Sequence, residues 1–94
     1  MKVNELKPSQ NGTVTGEITA VEPAREVVTK FGKKMRVANA TLRDDTGEIT
    51  LSLWNDDIDK IQQGQQVTVD NGWVTEFKGN LQISTGKFGK LVIQ

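Results

Sequence analysis

Glu48-Ile49-Thr50-Leu51-Ser52-Leu53-Trp54 is the stretch on which the fold turns. Side chains alternate across a β-strand, so Ile49, Leu51 and Leu53 share one face and Thr50, Ser52 and Trp54 the other. The first face is suited to a core. The second is small and polar and ends in a large aromatic. Asp44-Asp45-Thr46-Gly47 in front of it reads as a turn, and Lys34 to Arg43 before that as a strand, with Val37, Asn39 and Thr41 opposed to Ala38, Ala40 and Leu42. Behind the tryptophan, Asn55-Asp56-Asp57 is a helix-start signal whose residues suit capping. The segment Ile58-Asp59-Lys60-Ile61 leaves room for little more than one turn before Gly64. Its isoleucines are expected to plug one end of a barrel.

The same alternation extends outward. Lys7-Pro8-Ser9-Gln10-Asn11-Gly12 is a turn-rich entry, after which Val14, Gly16, Ile18 and Ala20 alternate with Thr13, Thr15, Glu17 and Thr19 as a first strand. Gly16 inside it suits a bulge or a barrel bend. Gln66 to Phe77 is a fourth strand with a bulge expected near Gly72, Lys78-Gly79-Asn80 a hairpin turn, and Leu81 to Ser84 a fifth strand. A glycine-rich Gly86-Lys87-Phe88-Gly89-Lys90 then leads to an apolar Leu91-Val92-Ile93. Five short strands with one small helix between the third and fourth predict an all-β barrel rather than a sandwich, and closure removes the exposed edges. Residues 1–94 fit a single domain.

Composition narrows the chemistry. There is no cysteine and no histidine, which excludes disulfides and thiolate metal sites and removes the commonest general base. No nucleophile–base pair, dinucleotide-binding glycine pattern or P-loop is present, so the expectation is a non-enzyme without metal or cofactor. The acidic Asp56, Asp57 and Asp59 lack the calcium-loop pattern. No stretch is long and apolar enough to span a bilayer, and Met1 to Pro8 does not read as a secretory signal, so an intracellular, cytoplasmic location is expected. Twelve basic and twelve acidic residues cancel. Their distribution is uneven: Arg25, Lys30, Lys33, Lys34 and Arg36 crowd one segment in which Glu26 is the single acid.

Three aromatics are candidates for a binding surface. Trp54 shares a face with Thr50 and Ser52 and is hard to bury. Trp73 and Phe77 are four apart in one strand and share a face with Thr75. Their parity matches Val67 and Val69, so either Trp73 is core or a bulge around Asn71-Gly72 switches faces; the bulge is the preferred alternative. Exposed aromatic surface usually has a partner, and nucleobases stack on rings without needing a particular sequence. Lys33, Lys34, Arg36 and Lys78 are the best-placed phosphate contacts. Phe31 and Phe88 sit in basic, glycine-flanked loops, where folding back onto the core is favoured over contact with a ligand.

Leu51-Ser52-Leu53-Trp54 and Asn71-Gly72-Trp73-Val74-Thr75-Glu76-Phe77-Lys78-Gly79-Asn80, with Leu6-Lys7-Pro8 and Asp45-Thr46-Gly47, resemble the archaeal single-stranded DNA-binding proteins built on one oligonucleotide-binding (OB) fold, and their eukaryotic relatives. The resemblance implies a five-stranded OB barrel in which Trp54, Trp73 and Phe77 stack on bases while Lys33, Arg36 and Lys78 meet the backbone. It further implies single-stranded DNA as partner, with RNA as a variant, a monomer or weak oligomer, and service in replication, recombination or repair. Family members commonly continue into a carboxy-terminal tail that recruits partner proteins, which this sequence does not carry up to Gln94. The alternative is a protein-interaction module using the same aromatic face.

Overall fold

The computed structural model describes residues 2–85 and 89–93, apart from the side chains of Asp56 and Phe77. A 3-10 turn at Val3–Glu5 precedes β1 (Gln10–Val21), β2 (Arg25–Val28), β3 (Lys34–Asp44), β4 (Gly47–Trp54), a short helix α1 (Asp56–Lys60), β5 (Gln66–Phe77), β6 (Asn80–Ser84) and β7 (Lys90–Ile93). β1, β3, β4, β6 and β5 pair in that order and β5 returns to β1, closing the barrel. All of these pairings are antiparallel except β4 with β6. The expected five strands are therefore β1, β3, β4, β5 and β6, with α1 between the third and fourth of them. Two further strands flank the ring: β2 pairs with the start of β3, and β7 with the start of β5.

Closure depends on β1 serving two partners. Residues Gln10 to Glu17 pair with β5, and residues Glu17 to Val21 pair with β3. Gly16 lies beside this switch, where an added Cβ would sit 2.5 Å from the Arg43 carbonyl oxygen. It thus marks the bend allowed for in the sequence, while the register irregularity lies between Ile18 and Ala20. A second irregularity sets two residues of β5, Asp70 and Asn71, against one of β1, Thr13, since Gly12 pairs with Gly72 and Val14 with Val69. Asn71 takes a left-handed φ of 54° there. Its N–H donates to Thr13 Oγ1 at 3.0 Å, and that hydroxyl donates to Asp70 Oδ1 at 3.1 Å, so the group released from the ladder keeps a partner. The bulge reverses side-chain parity along β5. Val67 and Val69 are fully buried before it and Val74 after it, and Trp73 turns outward.

The interior is filled by Val14, Ile18, Leu42, Leu51, Leu53, Val67, Val69, Val74 and Ile83, all essentially without solvent exposure. Ile61, with Ile58 packed against the same cluster, closes the end of the barrel that follows β4, as expected. Val3 and Leu6 close the other. No buried polar side chain lacks a partner among the described residues, and none of their helices is long and apolar enough to cross a membrane.

Asp44 ties the entry segment to the β3–β4 hairpin. Its Oδ1 accepts from the Thr46 N–H (2.7 Å), the Thr46 hydroxyl (2.6 Å) and the Gly47 N–H (3.1 Å), and its Oδ2 from the Val3 N–H (2.8 Å). Partial desolvation opposes ionisation, but the Thr46 hydroxyl and the three backbone donors outweigh it and hold the carboxyl at about 2, below its ordinary 3.8. A carboxyl depressed by folding stabilises the native state above its unfolded pKa and loses that contribution as the pH falls through the folded one. Asp44→Ala should therefore cost about 1 kcal/mol at neutral pH, the scale of a lost side-chain cap. In urea titrations the gap from the parent should narrow as the pH falls from about 4 towards 2.

Candidate nucleic-acid interface

The outer face of β3, β4, β6 and β5 is a lattice fixed by the register. Val37 pairs with Trp54 at one end. The next row runs Asn39, Ser52, Ser84, Trp73, and the row after it Thr41, Thr50, Gln82, Thr75. Phe77 ends β5 with its backbone paired to Asn80. A floor of short polar side chains is therefore bounded by two tryptophans. Trp54 is 39% exposed and Trp73 42%, well above the buried residues of opposite parity beside them. With strands about 4.8 Å apart, Trp73 stands about 10 Å across the sheet from the β4 row that ends in Trp54. The Phe77 ring lies outside the described residues.

Three hollows on this face share lining residues and run as one trough. One of about 270 Å³ is lined by Arg25, Val27, Val37, Asn39, Ser52, Trp54 and Gln82. A second of about 190 Å³ continues over Ser52, Trp54, Thr75 and Ser84, and a third of about 350 Å³ reaches Thr41, Glu48, Asn80 and Lys78. The β2–β3 hairpin forms one wall. The two-residue turn Lys78-Gly79, with φ of 52° and 82°, ends the other and joins β5 to β6.

The basic residues divide around this trough. Lys33 is exposed in the turn of the β2–β3 hairpin, and Lys78 lines the far hollow. Lys34 and Arg36 have the parity of Ala38 and Ala40, which puts them on the opposite side of β3 from Val37 and the trough. Lys34 faces Glu26 at 3.9 Å, and Arg36 pairs with Asp59 at 3.1 Å, so a phosphate reaching Arg36 competes with a carboxylate. Arg25, in sequence only one member of the basic segment, lines the trough beside Trp54. Recognising it needed β2 as a strand, whose parity pairs Arg25 with Val37.

Two further expectations are corrected. Phe31 does not fold back onto the core: it is 86% exposed at the hairpin tip, because the turn closed by the Thr29 and Lys33 backbone carries it away from the barrel. Phe88 lies outside the described residues. Asn55, at the N-cap position of α1, makes no side-chain cap. Its N–H donates to the Arg36 carbonyl at 3.0 Å, and its Oδ1 accepts from the Arg36 N–H at 3.0 Å. The side-chain carbonyl thus stands in for a backbone one and adds a rung to the β3–β4 ladder beyond Trp54, while the main chain, at φ 51°, turns away into α1. The acidic residues nearby are engaged with cations, Asp59 with Arg36 and Asp57 with Lys60. Among the described residues no three acidic side chains gather as a metal site.

A closed five-stranded barrel with one small helix between the third and fourth of its strands defines the OB class of domain. Comparison with known proteins agrees: residues 6–93 match the family model for the Ssb-like single-stranded DNA-binding protein, OB fold. The chain belongs to that family, whose members are binding proteins rather than enzymes. It is 35% identical over 91 residues to the single-stranded DNA-binding protein Ssb of Saccharolobus solfataricus, a match covering 96% of this chain and 61% of that one. The chain thus spans about three-fifths of that relative's length. The second OB-fold domain of replication protein A from Methanococcus maripaludis superposes with a TM-score of 0.83 at 33% identity, covering 99% of this chain and 92% of the other. A replication protein A heterotrimer bound to single-stranded DNA shares the fold with a TM-score of 0.78 at 16% identity, over all of this chain and 24% of that one.

Asn55→Ala removes the side-chain rung that holds the end of β4. It should lower stability by about 1 kcal/mol and loosen the neighbouring ring. In a Trp73→Phe background, where Trp54 is the sole tryptophan, the emission anisotropy should fall. An unchanged anisotropy would mean that the rung does not hold the indole.

Proposed function

We propose that this domain binds single-stranded DNA with little sequence preference, by stacking bases on Trp54, Trp73 and Phe77 and by phosphate contacts from basic residues around the trough. The observation that supports this best is the pairing of two tryptophans, both about two-fifths exposed, with a row of small polar residues between them. Such a floor gives bases flat apolar platforms and leaves room for them, while offering few groups arranged to read a base edge. Arg25, Lys33 and Lys78 meet phosphates along the trough, and Lys34 and Arg36 add positive potential from the back of the hairpin. Binding of this kind serves the exposed strands of replication, recombination and repair inside the cell, with the domain acting as a monomer or weak oligomer. RNA is a variant of the same reading, because stacking does not sense a 2′-hydroxyl.

The formal net charge of zero favours one competing reading, a protein-interaction surface on the same face. Titration of the intrinsic tryptophan fluorescence with oligothymidine at two salt concentrations separates the two. Base stacking predicts saturable quenching whose midpoint weakens with salt. Trp54→Ala, Trp73→Ala and Phe77→Ala should each weaken it by about 1–3 kcal/mol, without loss of the folded β spectrum. Folded variants that bind as the parent does would remove the stacking mechanism. Affinity insensitive to salt would favour the protein partner.

A further inference from the structure

The β2–β3 hairpin ends in an apolar ring that the trough does not use. Phe31 is 86% exposed, and the Lys30 ammonium lies 5.4 Å from its ring centroid, over one face. The ring is presented by an ordered arm. Four consecutive pairs, Arg25 with Val37 through Val28 with Lys34, carry the hairpin outward. The turn is closed by Thr29 N–H to Lys33 carbonyl (2.9 Å) and Gly32 N–H to Thr29 carbonyl (2.9 Å), with Gly32 at φ 78°. No core residue depends on the ring. An exposed phenylalanine with a cation on one face and lysines on either side in sequence, Lys30 and Lys33, has the chemistry of a base-stacking position with phosphate contacts beside it.

We infer that Phe31 is an additional stacking platform for single-stranded nucleic acid, lying beyond Trp54 and extending the binding track at that end only. The inference rests on the proposed binding along the trough. The register supplies its geometry: Trp54 stands opposite Val37, and the arm runs from Val37 to Lys34 and on through the turn. At about 3.3 Å per residue the tip is about 15 Å past the Trp54 row. That separation is too long for the same base to touch both rings, so Phe31 serves a base further along the strand. Arg25 and Val27, which line the intervening wall, bridge the gap.

The test compares two oligothymidines, one just long enough to saturate the tryptophan quenching of the parent and one several nucleotides longer. Phe31→Ala should leave affinity for the shorter one unchanged and weaken the longer one about tenfold, within the range of one lost stack. Phe31→Trp should retain the parent's affinity and Phe31→Leu should not, because a flat ring rather than apolar bulk is required. With Trp54 and Trp73 replaced by phenylalanine, a tryptophan introduced by Phe31→Trp should be quenched by the longer oligonucleotide alone. Equal affinities of parent and Phe31→Ala for both lengths, with trough quenching intact, would overturn the inference and leave the tip as a contact for protein. A parent that shows no trough quenching would overturn it through the reading on which it rests. Weakening of both oligonucleotides alike would overturn it in favour of a general effect of the arm.

Discussion

Everything on the trough face depends on β1 being hydrogen-bonded to β5 along its first part and to β3 along its second. That division turns a sheet into a barrel, and it is possible because Gly16 lets the Arg43 carbonyl approach where a methyl group would collide. Closure forces the side chains of every ring strand to alternate between a filled interior and an outside surface. On β3, β4, β6 and β5 the outside is the trough. Its two tryptophans are therefore positioned by the burial of Leu51, Leu53, Val74 and Ile83, which belong to the trough-lining strands with opposite parity. Trough and core are two sides of one constraint.

Much of this was legible in the sequence because period-2 patterning is written residue by residue. Ile49, Leu51 and Leu53 could only be interior, which left Trp54 outside, and the position of the small helix separated this barrel from a sandwich. The parity conflict in β5 also pointed to its own resolution, since Val67, Val69 and Val74 cannot share a face without an inserted residue. What escaped was information carried by pairing. Arg25-Glu26-Val27-Val28 has no alternation that identifies a strand and becomes one by bonding to β3. Lysines and arginines selected by nearness in sequence fell on two faces, because Lys33, Lys34 and Arg36 do not share a direction once the hairpin forms. Asn55 carried a cap signal, yet its side chain found the Arg36 backbone instead, a choice set by tertiary geometry.

The balanced charge becomes intelligible in terms of placement. Several acids sit away from the trough and are occupied: Asp44 with backbone donors and a hydroxyl, Asp45 with Lys2, Asp57 with Lys60 and Asp59 with Arg36. Exposed ion pairs of this kind add little stability individually. They cancel one another at a distance, so the field felt by a polyanion near the arm is set by the local excess of Arg25, Lys30 and Lys33 rather than by the sum over the chain. Zero net charge and a basic rim are therefore compatible.

The bulge at Asp70 and Asn71 has a bearing on how such a domain can change over generations. It separates β5 into a stretch whose odd-numbered residues face inward and a stretch whose even-numbered residues do, so each can be varied with little regard for the other. Substitution is cheap in this arrangement, and change of length preserves the facing of the side chains only at the bulge itself. Loss of a single codon at the bulge would restore regular pairing and leave Val74 packed and Trp73 outside, whereas loss of one within either regular stretch would turn over the residues on one side of it. Diversity among domains of this design should accordingly accumulate in the identity of the outward rings and in the arm, and a gain or loss of length in this strand should fall at the bulge rather than in the stretches on either side of it.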